Sequence, residues 1–350
     1  MNRFGSLVVL VGGLVLPSPG RADNLCRDHG MKHALFSIKA DGTGLRKLRE
    51  LPGTTPPNKL RISPDGKKVA FARCIADVDD DCDCGGAEYG KKELVLAAFD
   101  GKDELVIGHA SGGFNEYPSW TADSGGVVFM HSDSMNPAEV DLFRYDLASK
   151  TLQNLTNSPG LMESDNSITR DGIVTVVAQR VVDGRPESFN DLYEVDLRTP
   201  TKVTRRTTFD RAWGRHCCVA DAKYSPDKRY LVYAQLNEET NENWRIVLKD
   251  RGVERLVTDN AYVNQWPMWN QDGSRLLWVE WNPAAQTWSI VTTKMTASAQ
   301  RDSTTKITLV GREAEFPVGK KKVIFGRVGW PDWQHPHRDR IVFSATYLEW

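Results

Sequence analysis

The stretch 77–88, DVDDDCDCGGAE, is a run of hard oxygen ligands. Asp77, Asp79 and Asp81 fall at positions 1, 3 and 5 of a twelve-residue window, and Glu88 closes it. Carboxylates so spaced surround Ca2+ in a calcium-binding loop, the last glutamate binding through both oxygens. Asp83 is near enough to contribute in an irregular loop. Two features depart from that pattern. Cys82 replaces the glycine of the sharp turn, and the flanking segments alternate as strands rather than helices. Carboxylates this close repel one another unless a cation or solvent compensates. Ca2+ is the cofactor such a site would take, and a plain solvated acidic loop clipped by Cys82 or Cys84 is the favoured competing reading. Zinc held by Cys82, Cys84 and an aspartate fits an oxidising compartment less well.

A second set is dispersed. Glu116, Glu163, Asp165, Asp221 and Gln265 each stand at or just ahead of the start of a repeated hairpin. Brought together around an axis, they would form an acidic channel mouth able to hold a cation or the basic group of a partner. Ordinary loop polarity is the competing explanation. His131, His216, His335 and His337 lie near hairpin ends, where a histidine is most often a surface or hydrogen-bonding group. The chain has no G-x-S-x-G elbow and no H-E-x-x-H, so it offers neither serine-hydrolase nor zinc-peptidase chemistry by motif.

The elements that would position these residues are hairpins. Residues 60–73, LRISPDGKKVAFAR, alternate on either side of a turn. Pro64 pre-sets φ, Asp65 can bond its own backbone and Gly66 can take the left-handed conformation. The pattern recurs as YPSWTADSGGVVFM (117–130), DNSITRDGIVTVVA (165–178), AKYSPDKRYLVYAQ (222–235), WPMWNQDGSRLLWVE (266–280) and WPDWQHPHRDRIVFSA (330–345). The turn aspartates Asp65, Asp123, Asp171, Asp227 and Asp272 are 58, 48, 56 and 45 residues apart, the size of a propeller blade. A large side chain precedes each turn: Ile62, Trp120, Ile168, Tyr224, Trp269 and Trp333. A repeated bulky position of this kind packs neighbouring sheets face to face. Lys228 stands at the glycine position of its turn, which predicts a positive φ.

A second hairpin follows each of the first five copies, at 94–108, 141–156, 191–207, 244–258 and 288–310. The sixth copy lacks one, and the N-terminal region carries an orphan, LFSIKADGTGLRKLR (35–49). Joining the two completes a sixth blade from both ends of the chain and leaves few exposed strand edges. The expected fold is all-β, a six-bladed β-propeller of four-stranded antiparallel blades whose last blade is closed by N-terminal strands.

The SPDGKKVAF hairpin, followed by L-(aromatic)-x-x-D and then (K/R)-x-L-T, resembles the PD40 or WD40-like repeat of TolB-type six-bladed propellers. The resemblance covers about 35–347. It implies the fold. For function it implies several options, since such blades occur in bacterial Tol-system proteins, prolyl-oligopeptidase-like peptidases and pectate-degrading lyases. The additional N-terminal α/β domain of the TolB family has no counterpart in these residues.

Composition narrows the partners. Lys+Arg 45 against Asp+Glu 46 gives a net charge of −1, which provides no basic excess for a nucleic acid backbone. Residues 7–16, LVVLVGGLVL, follow Arg3 and precede Pro17, Pro19 and the small residues near Ala22. That is the layout of a signal peptide over 1–22, too short to span a bilayer. The mature chain, 23–350, is then expected to be one exported propeller, periplasmic or extracellular, monomeric and without an integral membrane segment. Its six cysteines (Cys26, Cys74, Cys82, Cys84, Cys217, Cys218) allow fifteen pairings, with a local clip between Cys74 and Cys82 or Cys84 among the options. Most of the 11 tryptophans occupy repeat positions. Trp213, Trp281 and Trp350 lie outside them, where exposed aromatics would suit a ligand. The leading expectation is a non-enzymatic scaffold that binds a protein or peptide through one face of the ring. The alternative is a metal-dependent polysaccharide lyase or hydrolase acting at the central channel.

Overall fold

Side chains write the turn that starts each blade. Ser63 Oγ accepts the Lys68 N–H at 2.9 Å and donates to Asp65 Oδ1 at 2.6 Å. Asp65 Oδ1 in turn accepts the Lys67 N–H at 3.0 Å. Thr121 with Asp123, Thr169 with Asp171 and Ser225 with Asp227 repeat the hydroxyl–carboxylate bond at 2.6, 2.7 and 2.6 Å. In the fifth copy Asn270 takes the hydroxyl's place and accepts the Arg275 N–H at 2.9 Å. These local bonds satisfy backbone donors that the ladder leaves over. Gly66 closes its turn at φ 71°. Lys228 does so at φ 58°, as its position predicts, and Ser124 also at 58°.

The computed structural model describes residues 32–51, 58–74, 92–99, 103–107, 114–132, 136–207, 219–236, 243–296, 301–311, 315–335 and 339–350. Six antiparallel sheets account for nearly all of them. Blade one runs Asn58–Ile62, Lys68–Cys74, Lys92–Ala98, Glu104–Ile107, from the inner strand outward. Blade two is Phe114–Trp120, Gly126–Ser132, Asp141–Asp146, Thr151–Asn154. Blade three is Leu161–Ile168, Ile173–Val182, Arg185–Asp196, Val203–Arg205. Blade four is Val219–Tyr224, Tyr230–Leu236, Trp244–Asp250, Val253–Leu256. Blade five is Val263–Trp269, Arg275–Asn282, Thr287–Met295, Arg301–Val310.

Blade six joins the two ends of the chain. Lys321–Trp333 and Arg340–Glu349 supply its inner half, and Lys32–Lys39 with Arg46–Leu51 its outer half. The seam is a continuous antiparallel ladder from Lys32↔Tyr347 to Lys39↔Arg340. This sheet has a fifth strand, Glu315–Val318, paired with Lys321–Ile324. The inner strand therefore starts nine residues ahead of the repeat at Trp330. Phe316 and Val318 give that extension its own apolar contacts with the core, outside the repeated hairpin.

The anchors before the turns hold adjacent blades together. Trp120 Nε1 donates to the Arg61 carbonyl of blade one at 3.1 Å, and Trp333 Nε1 donates to Met268 of blade five at 3.1 Å. The same atom thus reaches the same backbone position of the preceding blade. Core clusters accordingly span blade pairs rather than single sheets. Helical structure among the described residues is one 3-10 turn, Pro137–Glu139, and none of it is long and apolar enough to cross a membrane. The expectations for the leader, for the loop carrying Asp77, Asp79, Asp81, Asp83 and Glu88, for the cysteine pairing, and for His216, His337 and Trp213 lie outside the described residues.

Phe36, on the seam, is fully buried against Phe325, Phe343 and Tyr347, with ring centroids 4.8, 5.9 and 5.1 Å away. Phe36→Ala is expected to destabilise the protein by about 3–5 kcal/mol through the cavity it leaves. Val253→Ala, at a residue 70% exposed, should stay within about 0.5 kcal/mol. Denaturant midpoints of the two variants check the contrast.

Candidate functional site: the channel and its mouth

Every inner strand loses register at the same place. The breaks fall after Asn58, Glu116, Ser164, Ala220, Gln265 and Gly329. The residues that follow, Lys59, Tyr117, Asp165, Asp221, Trp266 and Trp330, have φ of 57°, 54°, 35°, 55°, 57° and 53°. Each is a β-bulge held by a non-glycine residue in the left-handed region, a state costing about 1–3 kcal/mol that survives only where the surroundings over-determine it. The bulge re-aims these side chains, which meet across blade boundaries.

The six bulge residues form two unlike sectors. On one, Lys59 Nζ lies 3.8 Å from the Trp330 ring centroid and 4.0 Å from that of Tyr117, and donates to Tyr117 Oη at 2.8 Å. Trp266 continues the aromatic side, its ring centroid 4.1 Å from Trp330. On the other sector Asp165 accepts the backbone N–H of Asp221. Burial pushes the Asp221 carboxyl up to about 6; the Asp165 carboxylate adds to the push, and Lys223, Lys59 and Arg61 oppose it. Burial draws the Lys59 ammonium down to about 8, against the pull of Glu116, Asp221 and Asp165.

Two residues past each bulge, and one before each anchor, stand Arg61, Ser119, Ser167, Lys223, Met268 and Asp332. All six line one cavity of about 600 Å3 that opens on the face of the hairpin turns. Ile62, Trp120, Tyr224 and Trp269 form apolar parts of its wall, with His335 at the turn of blade six. Asp332 Oδ2 accepts the Ile62 N–H at 2.9 Å, and its Oδ1 accepts the Trp333 N–H at 2.8 Å. Burial holds the Asp332 carboxyl above the usual carboxylate range, against Arg61 and His335. Burial, then the neighbouring Arg61 guanidinium, draws the Lys223 ammonium below the usual lysine range, against Asp165, Asp221 and Asp332.

The five acidic and amide positions expected at the mouth separate in space. Asp165 and Asp221 come together within the channel. Glu116 is buried in an ion pair with Lys92. Glu163 accepts the Leu142 N–H at 2.9 Å and the hydroxyls of Thr156 and Ser158 at 2.6 and 2.7 Å. It latches blade three to blade two, and burial pushes its carboxyl up to about 7. Asn115 and Asn264, at the same repeat position, latch their blades through the Lys92 and Trp244 carbonyls at 2.9 and 3.1 Å. Gln265 is buried at the repeat position of Glu116. His131 is buried within blade two, 2.7 Å from Asn115 Oδ1 and edge-on to Phe143, while His335 lines the mouth. Among the described residues no group of three or more His, Cys, Asp or Glu is placed to hold a metal ion.

Arg61, Lys223 and Asp332 carry the mouth's chemistry, and none of them is among the positions expected there from the sequence. The available signal was a column. The residue before each anchor changes from Arg to Ser to Lys to Met to Asp, while the anchors themselves stay large and apolar.

The raised carboxyl of Asp221 carries a stability cost with a defined pH window. A folded-state value above the ordinary 3.8 means that the native state resists ionisation. The cost is absent below pH 3.8 and complete above about pH 6. Asp221→Asn is therefore expected to stabilise the protein at pH 7.5 by roughly 1–3 kcal/mol, the gain vanishing as pH falls towards 3.5. Urea titrations at the two pH values read it directly.

No family model matches the chain, and no curated protein matches it in sequence. Solved structures do share its fold. An Agrobacterium tumefaciens protein assigned as a TolB aligns at a TM-score of 0.59 and 14% identity, over 91% of this chain and 99% of that one. TolB from Acinetobacter baumannii aligns at 0.52 and 18%, over 81% of this chain and 64% of that one. An oligogalacturonate lyase in complex with manganese aligns at 0.52 and 13%, over 91% and 96%. At these identities the likeness is one of architecture, and the architecture is a TolB-like six-bladed β-propeller.

Proposed function

We propose that the chain is an exported binding scaffold that takes up a protein or peptide segment at the channel mouth on the turn face. One observation carries the reading: all six blades send the residue before their anchor into a single cavity of about 600 Å3. That volume lies within the range of ligand-binding clefts, and the lining has their usual make-up, apolar walls around a few convergent polar groups. Trp120, Trp269 and Tyr224 offer aromatic surface for an anchoring side chain, the kind of contact that dominates docking energetics. A peptide supplies both needs at once, apolar side chains for the wall and hydrogen-bonding backbone for the floor. Export rests on the apolar run 7–16 and the small residues after it.

Ser167 lines the cavity and is only half-buried, so a large side chain there fills the mouth without opening the core. Peptides selected from a random display library on the immobilised full chain are expected to lose at least tenfold in affinity for a Ser167→Trp variant of unchanged melting temperature. Equal retention by that variant would move the docking site to another face.

A further inference from the structure

We propose that the channel mouth reads a carboxylate of the docked peptide, seated between the Lys223 ammonium and the Arg61 guanidinium. The inference rests on the mouth being the docking site and adds the chemical group it selects. Lys223 is 4% exposed on the cavity wall, and its Nζ has no hydrogen-bond partner among the described residues. A buried ammonium has three donors to satisfy, and leaving them unmet is costly. Arg61, 7% exposed, lines the same cavity and donates Nη1 to the Leu60 carbonyl at 2.8 Å. The two cations repel each other.

Two of the nearby carboxylates hold backbone amides. Asp332 holds the amides of Ile62 and Trp333, and Asp165 holds the amide of Asp221. Asp165 Oδ1 makes no hydrogen bond. The unpaired buried donors on the cavity wall are the Lys223 ammonium and the neutral Trp269 indole N–H. An incoming carboxylate would accept from Lys223 and Arg61, relieve their mutual repulsion and match the fork of a guanidinium with its two oxygens. The long flexible stem of Lys223 lets the ammonium swing to a ligand oxygen. In blade five the same repeat position is Met268, also on the cavity wall; the fold accommodates an uncharged side chain of that length there, so the charge at 223 is not a requirement of the repeat.

The test pairs stability with binding in the full chain. Lys223→Met removes a buried, unsatisfied cation and is expected to melt at or above the wild-type temperature without ligand. The binding probes are three versions of one tryptophan-containing pentapeptide: a free C-terminal acid, its amide, and the amide with an internal glutamate. Calorimetry is expected to show the free acid or the glutamate peptide binding wild type at least tenfold more tightly than the plain amide, and this preference should collapse in Lys223→Met. A fall in melting temperature for Lys223→Met would show that the ammonium compensates Asp165 and Asp221, and would overturn the inference. Equal binding of all three peptides would overturn it too while leaving the mouth as a peptide site. Tighter binding of a di-uronic acid or of inorganic phosphate than of any peptide would replace the peptide carboxylate with another anion. No binding of any probe, together with failed display selection, would remove the docking site itself.

Discussion

Ring closure is the constraint on which the molecule depends. A blade buries its faces only against its two neighbours, so a row of blades left open exposes two apolar faces and their strand edges. The ladder between Lys32–Lys39 and Arg340–Glu349 removes both at once. Because the seam lies inside one sheet, it is held by backbone hydrogen bonds and by the Phe36, Phe325, Phe343 and Tyr347 cluster, not by a looser face-to-face contact. The indole bonds from Trp120 to Arg61 and from Trp333 to Met268 show the same logic between blades. Both indoles spend their one polar atom on the neighbour's backbone.

Closure also fixes what lies at the centre. Six inner strands side by side would line the channel with unpaired backbone. The bulge repeated in every blade breaks each strand where it nears the axis and sends side chains inward instead. The backbone device is the same six times, but the residues differ, so four blades present Trp266, Trp330, Lys59 and Tyr117 and the other two present Asp165 and Asp221. A repeat architecture thus gives rise to an asymmetric site.

That site is costly to maintain. Asp221, Lys223 and Lys59 all have their charged forms disfavoured by burial, and uncharged residues of similar volume would fold at least as well. Glu163 shows the contrast. It is buried as deeply, yet its two oxygens receive an amide and two hydroxyls, and it serves as a latch between blades. The channel charges lack such full satisfaction. Strain and unmet polar groups concentrate where a fold has been held away from its stability optimum, and here they concentrate around one open cavity.

The sequence determined the repeat, and through it the fold. Period-two alternation, the Ser/Thr-x-Asp turn and the large anchor are local patterns, each enforced by bonds within a few residues, so they are legible without knowing what lies opposite. The orphan hairpin at 35–49 even revealed how the ring closes. The channel was legible only in part. Asp165 and Asp221 do meet near the axis, but Glu116 and Glu163, equally acidic and nearly as close to their turns, are drawn off to Lys92 and to the Thr156 and Ser158 hydroxyls. The difference is a bulge that shifts the alternation by one residue within each inner strand, and no local pattern announces it because Lys, Tyr, Asp and Trp all occupy it. Which charges converge, and which cation is left without a partner, is set by residues fifty to three hundred positions apart, and only the closed ring brings them within reach of one another.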